Sequence, residues 1–367
     1  MRVLVTGSDG FIGKNLILRF NELNISYEVF TKDNKIEELH HLIQKSDFII
    51  HLAGVNRPNN DSDYDQVNAG LTSIICDEVT SSGKSIPIIL ASSTQAEQDN
   101  LYGKSKLAAE MAIKDLEKNT GNLSYIYRLP GVFGKWCKPN YNSVVATFCH
   151  NIMNDIPIVV NDPSHNLKLV YIDDVIEEFT NIIKGKIDHK KDLSVSPEYT
   201  IKLGDLAEQI KIFKESRKSL IIERVGKGLV RKLYSTYLSY SPPEKFSYPI
   251  ETNGDERGMF AEMLKTKDSG QVSFFTAKPG ITRGGHYHHS KNEKFLVLQG
   301  EAKFRFRNLI SDQKYEVLTS GKKLEIVETA PGWAHDITNI SNQEMIVMLW
   351  ANEIFNPEEA DTYTSEL

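Results

Sequence analysis

The sequence predicts two domains of different class: an α/β domain on a doubly wound parallel sheet, then an all-β antiparallel sandwich or barrel. Three observations lead there. Residues 1–243 alternate short apolar runs with amphipathic segments. The apolar runs lack polar alternation, as strands buried on both faces require. Beyond "YSPPEKFSYPI" (Tyr240 to Ile250), strand patterns follow one another, separated by Gly, Asn and Ser turn signals. The chain has 367 residues, which suits two domains at ~150 residues each. Pro242, Pro243 and Pro249 break any helix in between, so the boundary is expected at Pro243, giving domains 1–243 and 244–367.

The elements follow in order. "RVLVTG" reads as a strand ending in a turn. In "GFIGKNLILRFNEL", Phe11, Leu16, Phe20 and Leu23 share one helical face. "YEVF" is a strand, "KIEELHHLIQ" a helix and "DFIIHLAG" a strand apolar throughout. "VNAGLTSIICDEVTSSG" is helical, "IPIILASS" a strand, "KSKLAAEMAIKDLEK" a helix, and "LSYIYRLPGVFG" a strand and turn. "RKSLIIERVGKGLVRKLYSTYLSY" is basic and partly amphipathic and is expected to close the first domain. Four strand patterns then dominate: "QVSFFTAKPG", "KFLVLQGEAKFRFRN", "KYEVLTSGKKLEIVE" and "EMIVMLWAN".

Composition excludes several classes. The net charge of −6 argues against a nucleic-acid binder, which shows a basic excess. No run of ~18 apolar residues predicts a membrane span, and no basic-then-apolar leader is visible. Cys76, Cys137 and Cys149 are widely spaced without a CxxC pair, as in reduced cytoplasmic proteins.

Two constellations carry chemistry. Gly7, Gly10 and Gly13 stand between the first strand and the first helix. Glycine there lets backbone approach a pyrophosphate, and the helix start offers free N–H donors, so a dinucleotide site is expected. An acidic residue ending the second strand would hold the ribose of NAD. This chain has "VFTKDN": Lys32 suits a 2′-phosphate and favours NADP, while Asp33 keeps NAD open. Tyr102 and Lys106 lie one helical turn apart, and an ammonium nearby lowers a phenol's pKa toward proton transfer. Ser93 and Thr94 both offer a hydroxyl partner. Asn68 begins a helix, as a cap or as a functional side chain.

The second constellation is "GITRGGHYHHSKNEKFLVLQG" (Gly280 to Gly300). His286 and His288 leave one face of a predicted strand, and Glu293 is expected on the neighbouring strand. His335 follows in "APGWAHDITN". Three imidazoles and a carboxylate suit a divalent first-row metal, and ligand type does not separate zinc from nickel, manganese or iron. The alternative is that these histidines are plain cleft residues. His289 and Tyr287 point away from the ligand face. Arg283, Lys294 and Arg305 carry little weight as diphosphate contacts.

The first part resembles the extended short-chain dehydrogenase/reductases, through TGxxGxxG, "HLAG" (His51 to Gly54), "VNAG" (Val67 to Gly70), "ASST", YxxxK, "RLPGVFG" (Arg128 to Gly134) and "VYIDDV" (ending at Val175). The resemblance implies a Rossmann-type sheet. It makes Tyr102 the proton donor, Lys106 the holder of the nicotinamide ribose, Ser93 (or Thr94) the carbonyl partner and Asn68 the brace of a proton relay. Gly7, Gly10, Phe11, Ile12, Gly13, Lys32, Leu52, Ala53, Gly54 and Lys106 become the cofactor contacts, with NADPH as cofactor. Tyr102 stands only nine positions after Ser93, a short spacing for that family.

The second part resembles the cupins, which are double-stranded β-helix, or jelly-roll, barrels. Gly280, His286, His288, Glu293 and Gly300 satisfy G(X)5HXH(X)4E(X)6G. Pro331, Gly332, His335 and Asn339 fit the second motif, except that the proline and glycine are adjacent. The resemblance implies a metal held by His286, His288, Glu293 and His335, zinc first among the candidates.

The two together resemble the bifunctional capsular-polysaccharide enzymes of the bacterial UDP-N-acetyl-L-fucosamine pathway. That implies a UDP-linked 2-acetamido-2,6-dideoxy-4-hexulose substrate, epimerised at C3 by the cupin and reduced at C4 by the first domain to the L-talose sugar. It also implies a cytoplasmic homodimer or higher homo-oligomer, with neither nucleic acid nor membrane as partner. The alternatives are a single-function 4-ketosugar reductase with a substrate-binding or oligomerising cupin, and a non-catalytic NADP sensor. The intact Tyr102 and Lys106 speak against the sensor.

Overall fold

The computed structural model describes residues 1–57, 60–187, 193–250, 252–255, 258–261, 264–266, 270–353 and 357–367. These form two compact units. One comprises Met1–Phe133, Tyr141–Ser143 and Leu167–Thr200; the other comprises Gly134–Asn140, Val144–Asn166 and Ile201–Leu367.

The first unit is built on β1 (Arg2–Thr6), α1 (Phe11–Glu22), β2 (Ser26–Phe30), α2 (Glu38–Gln44), β3 (Phe48–His51), α3 (Leu71–Ser82), β4 (Ile88–Ser93), α4 (Leu101–Thr120) and β5 (Ser124–Leu129). The five strands are parallel in the order β2-β1-β3-β4-β5. Val3, Leu4, Val5, Ile49, Ile50, Ile88 and Ile89 are fully buried, which explains the continuously apolar strands. One face packs Leu39, Ile43, Ile75, Val79, Ala109 and Ile113 from α2, α3 and α4 against the sheet. The strand order reverses between β1 and β3, and a crevice opens at such a reversal beyond the carboxyl ends of the strands. A smaller sheet joins β6 (Gly131–Phe133), β7 (Asn166–Tyr171) and β8 (Tyr199–Lys202). Between these lie α5 (Val144–Met153) and α6 (Ile172–Ile183), and α6 packs on α1.

The second unit holds α5, α7 (Leu203–Ser219), β9 (Ile221–Ile222), α8 (Gly228–Ser239) and the strands after them. These are β10 (Ser247–Pro249), β11 (Thr252–Asp255), β12 (Gly258–Ala261), β13 (Lys265–Thr266), β14 (Gln271–Ala277), β15 (Thr282–Tyr287), β16 (Glu293–Gln299), β17 (Glu301–Asn308), β18 (Lys314–Ser320), β19 (Glu325–Glu328), β20 (Trp333–Asn339), β21 (Met345–Ala351) and β22 (Tyr363–Thr364). Two antiparallel sheets, β10-β19-β16-β21-β14 and β18-β17-β20-β15-β22, face each other. Between them Phe295, Val297, Val327 and Val347 meet Phe304, Phe306, Val317 and Ile337.

The helical stretch expected to close the first domain thus clusters with the barrel. The reason is a buried charge cluster. Lys294 and Glu328 pair across β16 and β19 at 2.7 Å. Arg217 of α7 reaches the same carboxylate at 2.9 Å, and Tyr234 of α8 donates to it at 3.1 Å. Among the described residues, no helix is long and apolar enough to cross a membrane.

Candidate active site and candidate metal centre

The first site grows from the β1–α1 turn. Gly7 has φ +71°, and a β-carbon there would lie 2.7 Å from the Ala53 amide nitrogen. One at Gly13 would lie 2.3 Å from the Gly7 carbonyl oxygen. Only glycine permits this close crossing of helix, turn and the segment after β3. Helix α1 opens on Gly10 with no side-chain cap and no acidic residue in its first turn. Its leading amides therefore face outward, as a pyrophosphate requires. This cradle fits a dinucleotide.

A buried network holds the opposing segment. The Ala53 amide donates to Thr6 Oγ1 at 3.2 Å, and Thr6 Oγ1 meets His51 Nδ1 at 2.6 Å. His51 Nε2 meets Thr72 Oγ1 at 2.9 Å, which donates to the Asn68 carbonyl at 2.6 Å. Every member is satisfied when His51 is neutral with its proton on Nε2. Burial, helped by the Lys106 charge, pushes the His51 pKa down to about 3, in keeping with that state. Leu52 and Ala53 are half-buried and Gly54 is exposed. Phe11 and Ile12 are half-buried at the start of α1, and Lys32 and Asp33 are both exposed in the turn after β2.

Asn68 lies in a π-helical turn, Tyr64–Gly70, a local widening frequent at functional sites. It does not cap α3. Its Oδ1 accepts from the Val55 amide at 2.8 Å, and its Nδ2 donates to the Val55 carbonyl at 3.1 Å and to Ser105 Oγ at 2.9 Å. Helix α4 starts at the Asn100 cap, which accepts from Gly103 N at 2.8 Å. That start sets Tyr102 and Lys106 one turn apart, with the ammonium 6.0 Å from the phenol ring centroid. Ser93, the last residue of β4, accepts from the Gln95 amide at 3.1 Å and lies close enough to Tyr102 to act on its phenol, and Thr94 is exposed in the turn beyond. The expected lowering of the Tyr102 pKa is not seen. Burial raises it, opposed by the nearby Ser93 hydroxyl, and Lys106 Nζ turns to the Ala91 carbonyl at 3.2 Å instead. The phenol thus keeps its proton at neutral pH. Tyr64, whose ring lies 6.0 Å from that of Tyr102 and whose hydroxyl donates to the Asn56 carbonyl at 2.9 Å, completes the wall.

The second site is inside the barrel. His286 on β15 and His335 on β20 pair directly in register, with ring centroids 4.8 Å apart. His288 falls one residue beyond β15. Glu293 opens β16, the next strand in the chain but in the facing sheet, rather than a neighbour of β15. The four ligand atoms lie within 4.8 Å of one another. Glu293 Oε2 is 3.1 Å from both His288 Nε2 and His335 Nε2, and Oε1 pairs with Lys291 at 3.0 Å.

The donor set fits a divalent cation. His288 Nδ1 lies 2.5 Å from the Asp361 carbonyl oxygen. That oxygen only accepts, so Nδ1 carries a proton, and in the neutral ring Nε2 is then the nitrogen free to ligate. That nitrogen faces a Glu293 carboxylate oxygen at 3.1 Å, a pair that a shared proton or a divalent cation satisfies. Burial, reinforced by His335 and His288, pushes the His286 pKa down to about 3. Burial raises the Glu293 carboxyl, but the His288 and His335 imidazoles hold it well below the usual carboxylate range. His289 packs edge-on to Tyr363 at 5.0 Å, outside the cluster, and Tyr287 is buried against Tyr363. Arg305 pairs with Asp336 and Arg283 donates to the Thr276 carbonyl at 2.9 Å.

The profile of the NAD dependent epimerase/dehydratase family matches residues 3–195. The chain belongs to this family. The glycine cradle and the Tyr102–Lys106 pair of this epimerase/dehydratase chain both lie inside the matched residues. Residues 253–363 match the polysaccharide biosynthesis C-terminal domain, which takes in all four histidine and glutamate positions of the barrel cluster. A relative from Pseudomonas aeruginosa, named UDP-2-acetamido-2,6-beta-L-arabino-hexul-4-ose reductase, is 54% identical over 364 residues, 99% of this chain and 98% of the relative. The crystal structure of the capsular polysaccharide assembling protein CapF from Staphylococcus aureus is similar over 100% of both chains, at 42% identity and a TM-score of 0.67. A UDP-glucuronic acid 4-epimerase from Bacillus cereus shares the fold over 58% of this chain and 83% of its own, at 18% identity and a TM-score of 0.52.

Proposed function

We propose that this family member reduces the C4 ketone of a UDP-linked 2-acetamido-2,6-dideoxy-4-hexulose with NADPH, after its own barrel has epimerised C3. The product would be UDP-2-acetamido-2,6-dideoxy-L-talose, a capsule precursor on the way to UDP-N-acetyl-L-fucosamine. The observation that carries the reductase step is Tyr102 one helical turn from buried Lys106, whose ammonium stands 6.0 Å from the phenol ring, with Ser93 nearby at the end of β4. The reductase name of the 54% identical relative supports the substrate class.

NADPH would supply the hydride to C4. Tyr102, protonated at neutral pH, gives its proton to the C4 oxygen. Ser93 would hold that oxygen against the phenol, a preference over Thr94 that rests on its half-buried place near Tyr102. Lys106 reaches for the nicotinamide ribose, and Asn68 braces the segment after β3 on which Gly54 sits. Exposed Lys32, with no carboxylate ending β2, favours NADPH over NADH.

The C3 proton is acidic only when charge on the C4 oxygen is stabilised. A divalent ion, zinc first, held by His286, His288, Glu293 and His335 would supply that Lewis acid. The two functions are proposed to divide in sequence near Pro243, with α7 and α8 before that point grouped with the barrel unit. A cytoplasmic homodimer or higher homo-oligomer completes the proposal; the buried, unbridged Cys76, Cys137 and Cys149 suit a reducing compartment.

The test uses two readouts on the full chain with a UDP-4-ketosugar. NADPH consumption should vanish in Tyr102→Phe, while deuterium uptake at C3 in D2O persists there. His288→Ala should lose the deuterium uptake. No NADPH consumption with any 4-ketosugar sinks the reductase; exchange untouched by His288→Ala sinks the separate epimerase.

A further inference from the structure

Residues 361–366 run along β15. Strand β22 pairs His286 with Thr364 and Tyr287 with Tyr363, and Ser365 N donates to the Gly285 carbonyl at 2.9 Å. Asp361 enters this strand at the turn that carries His288. Its carboxylate collects three consecutive backbone amides: His289 N at 2.8 Å on Oδ1, then Ser290 N and Lys291 N, both at 2.7 Å, on Oδ2. Ser290 Oγ adds a fourth bond at 3.0 Å. From α8, Arg231 donates to Ser290 Oγ at 2.6 Å and to Glu353 at 2.7 Å, and stands 4.0 Å from Asp361 Oδ2. The Asp361 carbonyl takes the His288 Nδ1 proton.

We propose that Asp361 is a positioning residue of the barrel metal centre. One residue does two separate jobs. Its carbonyl selects the His288 tautomer that leaves Nε2 free to ligate. Its carboxylate locks the His289–Lys291 turn, and that turn's length sets how His288 and Glu293 face each other. An outer partner that fixes a ligand imidazole in this way acts on metal affinity, commonly by ~10–100-fold. The inference rests on the metal reading given above.

The experiment titrates zinc into the full-length chain against a chromophoric chelator at one pH, for the parent, Asp361→Ala and Asp361→Asn. Both variants keep the backbone carbonyl and lose the carboxylate that holds the turn, so zinc should bind about tenfold more weakly, the low end for outer partners, while dinucleotide binding stays at the parent value. Zinc affinity within twofold of the parent in both variants overturns the proposal. A parent that takes up no divalent metal overturns the metal centre itself, and this inference with it. Histidine-selective 15N spectra of the metal-free parent provide a measurement that no variant's folding can spoil. His288 should appear as the Nδ1–H tautomer; an Nε2–H tautomer overturns the assignment.

Discussion

Lys106 Nζ donates to the Ala91 carbonyl at 3.2 Å from a position only 7% exposed. Burial pushes its pKa from 10.5 down to about 8, with Glu110 opposing. The folded protein therefore releases this proton earlier than the unfolded chain. Between pH ~8 and ~10.5 the unfolded state binds more protons, so this group's contribution to stability rises with pH there. Below pH ~8 both states are charged and the full desolvation cost is present.

Replacing the ammonium should therefore stabilise the fold and destroy reduction. The shift corresponds to about 3 kcal/mol, and an unpaired Ala91 carbonyl takes back about 1 kcal/mol. Lys106→Met should gain about 2 kcal/mol in urea unfolding at pH 7 and lose that advantage near pH 10. A variant less stable than the parent at pH 7, by an amount that pH does not change, would falsify the burial argument.

Ser93 and Thr94 are adjacent in sequence but differ in surroundings. Ser93 is half-buried near Tyr102, whereas Thr94 is exposed. Steady-state kinetics should show Ser93→Ala losing about 10²-fold or more in kcat, in the range of a positioned proton-transfer partner. Thr94→Ala should stay within about twofold. The reverse ranking would transfer the role to Thr94.

At Gly13 the neighbour of an added methyl is backbone, the Gly7 carbonyl oxygen at 2.3 Å, and backbone cannot rotate away. Gly13→Ala should cost about 1–3 kcal/mol of stability through overpacking and weaken NADPH binding more than tenfold. Fluorescence titration with NADPH checks this. Unchanged affinity would mean that the turn is not the cofactor cradle.

Glu293→Gln keeps the shape of the side chain and removes its charge. Its amide offers hydrogen-bond donors, and the ionic half of the donor set is lost. Metal content after dialysis should fall at least as far as the ~10–100-fold known for outer partners. Full retention would place the ion elsewhere.

Glu328 neutralises Lys294, which is 2% exposed, and Arg217. Glu328→Gln should destabilise the barrel unit by about 3–5 kcal/mol, since it leaves buried cations uncompensated. Adding Lys294→Met should restore part of the loss. A cost under about 1 kcal/mol would show that water already reaches the cluster.

What could be read from the sequence were constraints carried by a few consecutive residues. Gly7, Gly10 and Gly13 are legible because close backbone crossing admits no other side chain. His286, His288 and Glu293 are legible because their spacing is a property of one strand and one turn. Glu293's sheet was not legible: nearness in sequence suggested a strand beside β15, but the jelly-roll path crosses to the facing sheet. Asp361 contacts the turn 70 residues earlier, through a carbonyl and a carboxylate that any aspartate possesses. Lys294 and Glu328 carry the same letters as solvated residues, and only the fold decides that they are buried. The amphipathic face of α8 announced that it packs, without naming what it packs on.

The barrel unit draws Gly134–Asn140 and Val144–Asn166 from well upstream of its strands. On a ribosome, these segments emerge long before α7, α8 and the sheets that complete their unit. At roughly 5–20 residues per second, the interval from the end of α5 at Met153 to the end of α8 at Ser239 lasts about 4–17 s. During it Phe148, Cys149, Ile152 and Met153, buried in the finished protein, wait without their partners. The nascent chain is therefore expected to lean on chaperones that shield an exposed apolar helix.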